Sequence, residues 1–167
     1  VEGGNQNSKT IEYAGNGEAF IAWADFREGA NADIYGQRLN LSMENLFQEN
    51  GMSIAVTDEQ ELKPRATFVQ GSTSFIAWKE GDESSKVLYQ FIDGNGLVFE
   101  SARGITDSDA LQTAPRVKRN SNGDIFVNWK DLRDDPIDGD QYFQKVDLNG
   151  DRQWGDGVRI DPVEDVD

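Results

Sequence analysis

One segment of this chain occurs three times, and each copy is centred on a tryptophan. The copies contain Trp23, Trp78 and Trp129, which follow one another at intervals of about 50 residues. Repeats of this length are typical of solenoids, propellers and arrays, in which one repeat cannot bury its apolar face alone. The repeat therefore constrains the fold strongly, whereas a shared scaffold says little about chemistry.

Each copy contains four short segments that are rich in β-branched and aromatic residues. They are bounded by Gly, Asn, Asp, Ser or Pro, which is typical of sheet strands. Turn sequences such as Asn122-Gly123 separate the first segment from the second. In the second and third copies we expect the first strand to begin at Pro64 and Pro115. No stretch predicts an amphipathic helix.

A four-stranded antiparallel unit of this length matches the blade of a β-propeller. We therefore predict an all-β propeller-type fold with blades at residues 7–58, 59–109 and 110–161, and an acidic tail at 162–167. Closed propellers have about 4–8 blades, so three blades predict a partial ring, an open arc or half of a dimeric ring. The alternative is a three-sheet array or two packed sheets. We therefore expect the chain to be one segment of a larger protein or assembly.

The tryptophan segment and the strand after it also resemble a known repeat. Trp23-Ala24-Asp25-Phe26-Arg27 and Asp33-Ile34-Tyr35-Gly36-Gln37-Arg38-Leu39-Asn40 resemble the W-x-D-x-R propeller repeats of large secreted or surface-attached bacterial proteins. The likeness implies an extracellular or cell-surface location, although the absence of cysteine leaves a cytoplasmic one open. The second copy departs from the repeat, because it has glutamate in place of the aspartate and aspartate in place of the arginine.

The acid and the arginine that follow the tryptophan are interpreted as parts of the architecture. They lie two residues apart at a strand end, so both side chains can point the same way and clip one blade to the next. The tryptophans themselves are expected to fill space between blades. These structural repeat residues are Trp23, Asp25, Arg27, Trp78, Glu80, Trp129, Asp131 and Arg133.

The chain is strongly acidic, with 31 acidic residues, 16 basic residues and a net charge of −15. Nucleic acid is therefore excluded as an expected partner, because phosphate binding requires a basic patch. No apolar run is long enough for membrane insertion. Most of the acids follow the second and fourth strands of each copy, which places them on one face of a propeller. That face is expected to attract cations or basic surfaces.

Two groups of acids are candidate calcium ligands. Calcium prefers several oxygen ligands on flexible loops, and alternating oxygen residues are typical of calcium loops. Solvated loops and a plain hairpin turn are the alternatives. Calcium is the cofactor that these acids would suit, and no other is expected. The first group is Asp131, Asp134, Asp135, Asp138 and Asp140, and the second is Asp147, Asn149 and Asp151.

Catalysis has little support in the composition. Histidine and cysteine are absent, which excludes histidine triads, histidine bases and thiol nucleophiles. Glycosidases need only two carboxyl groups, but the acids here recur with the repeat or crowd into loops. We therefore expect no catalytic residues.

The expected function is a non-enzymatic extracellular binding or scaffold module. Its acidic loops would meet a protein, a glycan or calcium. The alternatives are a purely structural spacer or a subunit of a surface assembly, with a propeller-type glycoside hydrolase fragment less favoured. Further blades, from the same protein or another copy, are the other expected partners.

Overall fold

The protein is all-β in the part that the structure, a computed structural model, describes, namely residues 5–14 and 16–160. Thirteen strands form three antiparallel sheets, and the described residues contain no helix. The strands are β1 (Gln6–Ala14), β2 (Glu18–Asp25), β3 (Asp33–Leu39), β4 (Met52–Ala55), β5 (Glu61–Gln70), β6 (Thr73–Glu80), β7 (Lys86–Asp93), β8 (Gly96–Leu97), β9 (Arg103–Gly104), β10 (Gln112–Arg119), β11 (Ile125–Asp131), β12 (Asp140–Val146) and β13 (Val158–Arg159).

Each sheet is one blade, and its strands pair in chain order. Blade 1 has the order β1-β2-β3-β4, blade 2 has β5-β6-β7-β8 with β9 also on β7, and blade 3 has β10-β11-β12-β13. The prediction of an all-β fold with three antiparallel blades is confirmed, with four strands in blades 1 and 3 and a fifth strand, β9, in blade 2. The acidic tail at 162–167 lies outside the described residues.

The first strands of blades 2 and 3 begin earlier than the sequence indicates. β5 and β10 start three residues before Pro64 and Pro115 and cross a bulge where the pairing register shifts. β1 has the same bulge. In each case one residue adopts a positive φ, and proline cannot donate to the sheet, so the sequence gives no strand signal there. These residues are Ser8 (φ 49°), Lys63 (φ 57°) and Ala114 (φ 52°).

The three first strands lie next to one another, because β5 contacts both β1 and β10. The fourth strands lie at the other end of each pairing order. The first strands therefore form a common wall, which we call the inner wall. Glu12 of blade 1 interacts electrostatically with Lys118 of blade 3, although β5 lies between their strands.

Apolar cores fill the spaces between neighbouring blades. Phe20 and Ala22 of blade 1 pack in one cluster with Trp78 of blade 2. Phe75 of blade 2 packs in the other cluster with Trp129 of blade 3. Because side chains alternate along a strand, β6 of the middle blade contributes to the cores on both sides.

Since the described residues form no helix, they include no membrane-spanning helix.

Candidate functional site

The tryptophan, acid and arginine of blade 3 form a closed set of hydrogen bonds. Asp131 is fully buried and accepts the Trp129 indole N–H at 2.9 Å and the Arg133 guanidinium at 2.6 Å. Burial raises the pKa of Asp131, but the hydrogen bonds from Arg133 and Trp129 outweigh it, so the pKa is lowered. The carboxylate is held by its neighbours and has no capacity left for chemistry.

Blade 1 repeats this arrangement. Asp25 accepts the Trp23 indole N–H at 2.8 Å and the Arg27 guanidinium at 2.5 Å. Arg27 also donates to the Asn50 carbonyl at 2.9 Å. The arginine thus ties the second strand to the loop before β4 of its own blade, whereas the sequence interpretation placed its partner on the next blade. In blade 3, however, Arg133 does reach Thr106 of blade 2 at 3.2 Å.

Blade 2 breaks the arrangement. Glu80 stands at the acid position, but among the described residues its carboxyl accepts no hydrogen bond, and the buried Trp78 indole N–H has no partner. The arginine position holds Asp82, which pairs with Lys79 at 3.4 Å on the surface. The middle copy therefore has a carboxyl group and an indole donor that are free of the contacts that occupy them in the other copies.

These free groups lie in a groove between blades 1 and 2. The groove has a volume of about 310 Å³, and its wall includes Trp78, Glu80, Glu100 and Thr57. Glu80 and Glu100 come from the same blade but from different segments, the end of β6 and the loop before β9. The groove thus brings together two carboxyl groups and one unpaired donor.

A buried carboxyl pair lies behind the groove. Glu61 at the start of β5 is 0% exposed, and Asp33 at the start of β3 is 3% exposed. Asp33 Oδ2 and Glu61 Oε2 are buried without a hydrogen-bond partner among the described residues, and the interaction with Asp33 raises the pKa of Glu61, which favours its protonated form. Thr57 of the groove wall donates to Glu61. Glu61 also lies directly opposite Glu80 in the β5–β6 pairing.

The environment favours the protonated forms of these acids. Burial is the main cause that raises the pKa of Glu61 to about 7, and the charges of Asp33 and Glu80 act in the same direction. Burial, and then the charge of Glu28, raise the pKa of Asp33. Burial, and then the charge of Glu59, raise the pKa of Glu80. Raised pKa values in a groove are typical of proton-donating acids in catalytic sites.

Sequence reasoning missed Glu61 and Glu100 as candidates. It recognised the substitution at Glu80 but interpreted the residue as structural. The missing signal lay in the register, because Glu61 occupies the position of Gln6 in β1 and Gln112 in β10. A carboxyl that replaces an amide in a single copy is a departure from the repeat, and such a departure indicates a specific role.

The first group of candidate calcium ligands is distributed among protein contacts. Besides the buried Asp131, Asp134 accepts the Tyr142 hydroxyl, and Asp135 accepts the backbone N–H groups of Ile137 and Asp138 at 2.9 and 3.0 Å. Asp140 lies 3.3 Å from Arg159. Asp138 is exposed.

The second group lies in the turn between β12 and β13. Asp147 accepts the backbone N–H groups of Asn149 and Asp151, both at 2.9 Å, and the Gln153 amide at 3.0 Å. Within residues 5–14 and 16–160, no three Asp or Glu side chains converge as a metal site would require. Calcium binding at either group stays a prediction.

Several solved structures have a fold similar to that of this chain. The endo-arabinase of Bacteroides thetaiotaomicron matches with a TM-score of 0.58 and 12% identity over 94% of this chain. The arabinanase of Bacillus subtilis matches with a TM-score of 0.56 and 17% identity over 93%. A polysaccharide lyase, an ulvan lyase bound to a sulfated sugar, matches with a TM-score of 0.55 and 9% identity over 88%.

The chain is shorter than these proteins, since it spans 62%, 59% and 44% of their respective lengths. At such identities the likeness shows the β-propeller fold. No protein-family model and no curated protein matches the sequence.

These matches correct two expectations from the sequence. The chain was expected to be a binding or scaffold module, and it was expected not to be an enzyme. The proteins with its fold are an endo-arabinase, an arabinanase and a polysaccharide lyase, all of which are enzymes. The reasoning gave too much weight to the absence of histidine and to the recurrence of the acids, neither of which excludes the propeller folds of carbohydrate-cleaving enzymes.

Proposed function

We propose that this chain forms part of a β-propeller enzyme that cleaves glycosidic bonds in a polysaccharide, with the groove between blades 1 and 2 as its active site. The observation that carries the proposal is the release of Glu80 from the repeated tryptophan–acid–arginine contacts, together with the raised pKa of its carboxyl group. The polysaccharide-acting enzymes with the same fold support the choice of substrate class.

The chemistry needs one proton donor and one further carboxyl group. Glu80 is the donor, because its raised pKa keeps it protonated to higher pH than an ordinary glutamate. It gives its proton to the glycosidic oxygen as the bond to the anomeric carbon breaks. Glu100, the other carboxyl group of the groove wall, either activates the water that adds to that carbon or attacks it directly. Water finally supplies a hydroxyl to one product and restores the proton of the acid.

Two other groups prepare the groove for this reaction. The buried Trp78 indole N–H does not bind Glu80, in contrast to its counterparts in blades 1 and 3, so the Glu80 carboxyl group stays available to the substrate. Glu61 acts on Glu80 as a positioning residue, since its charge state changes the field at the opposite carboxyl group.

The test is the release of reducing ends from a panel of polysaccharides that includes arabinan and polygalacturonate. We expect Glu80→Gln and Glu100→Gln each to lower the rate at least about 100-fold, which is the usual contribution of an acid–base group. The rate of the parent protein should fall as pH rises through the pKa of Glu80, because the donor loses its proton. Glu83→Gln is the matched control, since Glu83 is exposed and outside the groove.

Two results would overturn the proposal. One is the absence of cleavage with every polysaccharide in the panel. The other is an activity of Glu80→Gln equal to that of the Glu83→Gln control. Circular dichroism of each variant separates a loss of fold from a loss of chemistry.

Three further features belong to the same proposal. We propose an extracellular location, which agrees with the secreted repeats that the tryptophan segment resembles. We propose that further blades complete the ring, which agrees with the shorter span of this chain relative to its structural neighbours. The W-x-D-x-R repeat type is part of this proposal, and its support is the contact set of Asp25 and Asp131.

A further inference from the structure

The basic residues of this acidic chain are divided between two environments. Nine of the 16 form ion pairs with a described carboxylate, and none of those nine lies on the inner wall. Seven form no such pair, and six of these lie on the first strands: Lys9, Lys63, Arg65, Arg116, Lys118 and Arg119. The seventh is Lys130 on β11.

This distribution is unexpected, because the chain has about two acids for every base. The three first strands, which are fully described, carry only two acids, Glu12 and Glu61. Glu61 is buried and has a pKa of about 7, so it offers little negative charge to the surface. Burial also raises the pKa of Glu12, despite the nearby charge of Lys118. The inner wall is thus a basic surface within an acidic protein.

The basic side chains of the wall are accessible. Lys9, Lys63, Arg116 and Lys118 are exposed, and Arg116 has no hydrogen-bond acceptor or carboxylate partner among the described residues. Arg116 and Lys118 lie two residues apart on β10, so their side chains leave the strand on the same side. Guanidinium and ammonium groups in this arrangement suit carboxylate and sulfate groups, which they bind through charge-assisted hydrogen bonds.

The local charge governs what the wall attracts. At physiological salt, charges more than about 8 Å apart are largely screened, so the distant acidic loops do not cancel the field beside the wall. A bound polymer must nevertheless stay clear of those loops. A DNA duplex carries one charge per about 1.7 Å, which maximises repulsion from them. A polysaccharide with carboxylate or sulfate groups along its sugars carries fewer charges per unit length than duplex DNA and meets less repulsion.

We propose that the inner wall binds an anionic polysaccharide that carries carboxylate or sulfate groups. The inference rests on the proposed action on polysaccharides and extends it to the chemical class of the polymer. The wall holds the charged sugars through Arg116, Lys118 and the other unpaired bases. Cleavage takes place at the separate groove between blades 1 and 2.

The test is calorimetric titration of the protein with polygalacturonate, which carries carboxylates, with dextran sulfate, and with neutral dextran. We expect binding to at least one anionic polymer and none to dextran. Arg116→Gln combined with Lys118→Gln should weaken binding roughly tenfold, and should reduce the salt dependence between about 50 and about 200 mM salt. Lys130→Gln is the control, because Lys130 is the unpaired base outside the wall, and it should bind like the parent.

Three results would overturn the inference. The first is equal affinity for dextran and both anionic polymers. The second is unchanged binding by the double variant. The third is that single-stranded DNA, added as a competitor, displaces the bound polysaccharide more effectively than further polysaccharide does. The last result would assign the wall to nucleic acid. A repeat of the titration with Glu80→Gln separates this inference from the proposed function, because binding should persist where cleavage is lost. Binding without cleavage in the parent would leave this inference standing and remove only the enzyme.

Discussion

At the scale of the residue, one carboxyl group distinguishes the second repeat from the others. Glu61 occupies a position where the other first strands carry Gln6 and Gln112. Gln112 shows what the amide does there, since its oxygen accepts the Val87 N–H at 3.0 Å and its nitrogen donates to the Ser108 carbonyl at 3.1 Å. A buried carboxylate is a less stable occupant of such a site unless it is paired. The glutamate therefore indicates a role other than stability.

The pH dependence of stability should report this group. The folded-state pKa of Glu61 is about 7, above its ordinary value of 4.5, so the folded protein binds the extra proton between these values. The stabilising contribution is complete below the unfolded value and is lost as pH rises through 7. We expect Glu61→Gln to remove this loss and to raise the free energy of unfolding at pH 8, by up to about 3 kcal/mol.

Urea unfolding at several pH values between 4 and 9 provides the measurement. Glu59→Gln is the control, because Glu59 is an exposed neighbour and should leave the profile nearly unchanged. A Glu61→Gln variant whose stability still falls over the same pH range as in the parent protein would contradict the assignment of the proton to Glu61.

At the scale of the element, the three bulges are the most regular feature that the sequence does not display. Each places a residue other than glycine in the left-handed region, at Ser8, Lys63 and Ala114. A side chain in this conformation costs about 1 kcal/mol or more. Because all three copies retain it, the bulge is a property of the blade. It bends the first strand before the residues that face the inner wall.

Ala114 provides the cleanest test of this strain, because its side chain is exposed. We expect Ala114→Gly to raise the free energy of unfolding by about 0.5–1 kcal/mol, since glycine adopts a positive φ without steric cost. Ala114→Val should lower it by more than about 1 kcal/mol, because a β-branched side chain is still less compatible with this conformation. Thermal or urea unfolding measures both.

The same two substitutions also provide the result that would contradict this prediction. In a regular strand, glycine would destabilise and valine would be favourable. If valine proved more stable than glycine at position 114, the residue would be in ordinary extended conformation in solution.

At the scale of the whole molecule, the repeat predicts the architecture well. The tryptophan segments, the glycine turns and the period together indicate three four-stranded blades, because every copy repeats the same local preferences. The candidate site could not be predicted from the repeat, because it lies where the second copy lacks the aspartate and the arginine of the other two. The pairing of Glu61 with Glu80 depends on a register that the bulge shifts by residues the sequence does not mark. Contact between Asp33 and Glu61 depends on how two blades pack.

The exposure of the three tryptophans shows that neighbouring blades bury each other's side chains. Trp78 and Trp129 are 0% exposed, because each lies between its own blade and the preceding one. Trp23 has no preceding blade in the described structure and is partly exposed, although it donates the same indole hydrogen bond as Trp129. The face of blade 1 that carries Trp23 therefore has the composition of an interface without its partner.

Substitution of Trp23 and Trp129 measures what a neighbouring blade contributes to the stability of the fold. Trp23→Ala and Trp129→Ala each remove one indole hydrogen bond to an aspartate, so the pair differs mainly in burial. We expect Trp129→Ala to lower the free energy of unfolding by about 3–5 kcal/mol and Trp23→Ala by about 1–2 kcal/mol. Equal losses would show that Trp23 is covered in solution. If the loss at Trp23 then grew with protein concentration, the covering blade would come from a second copy of the chain.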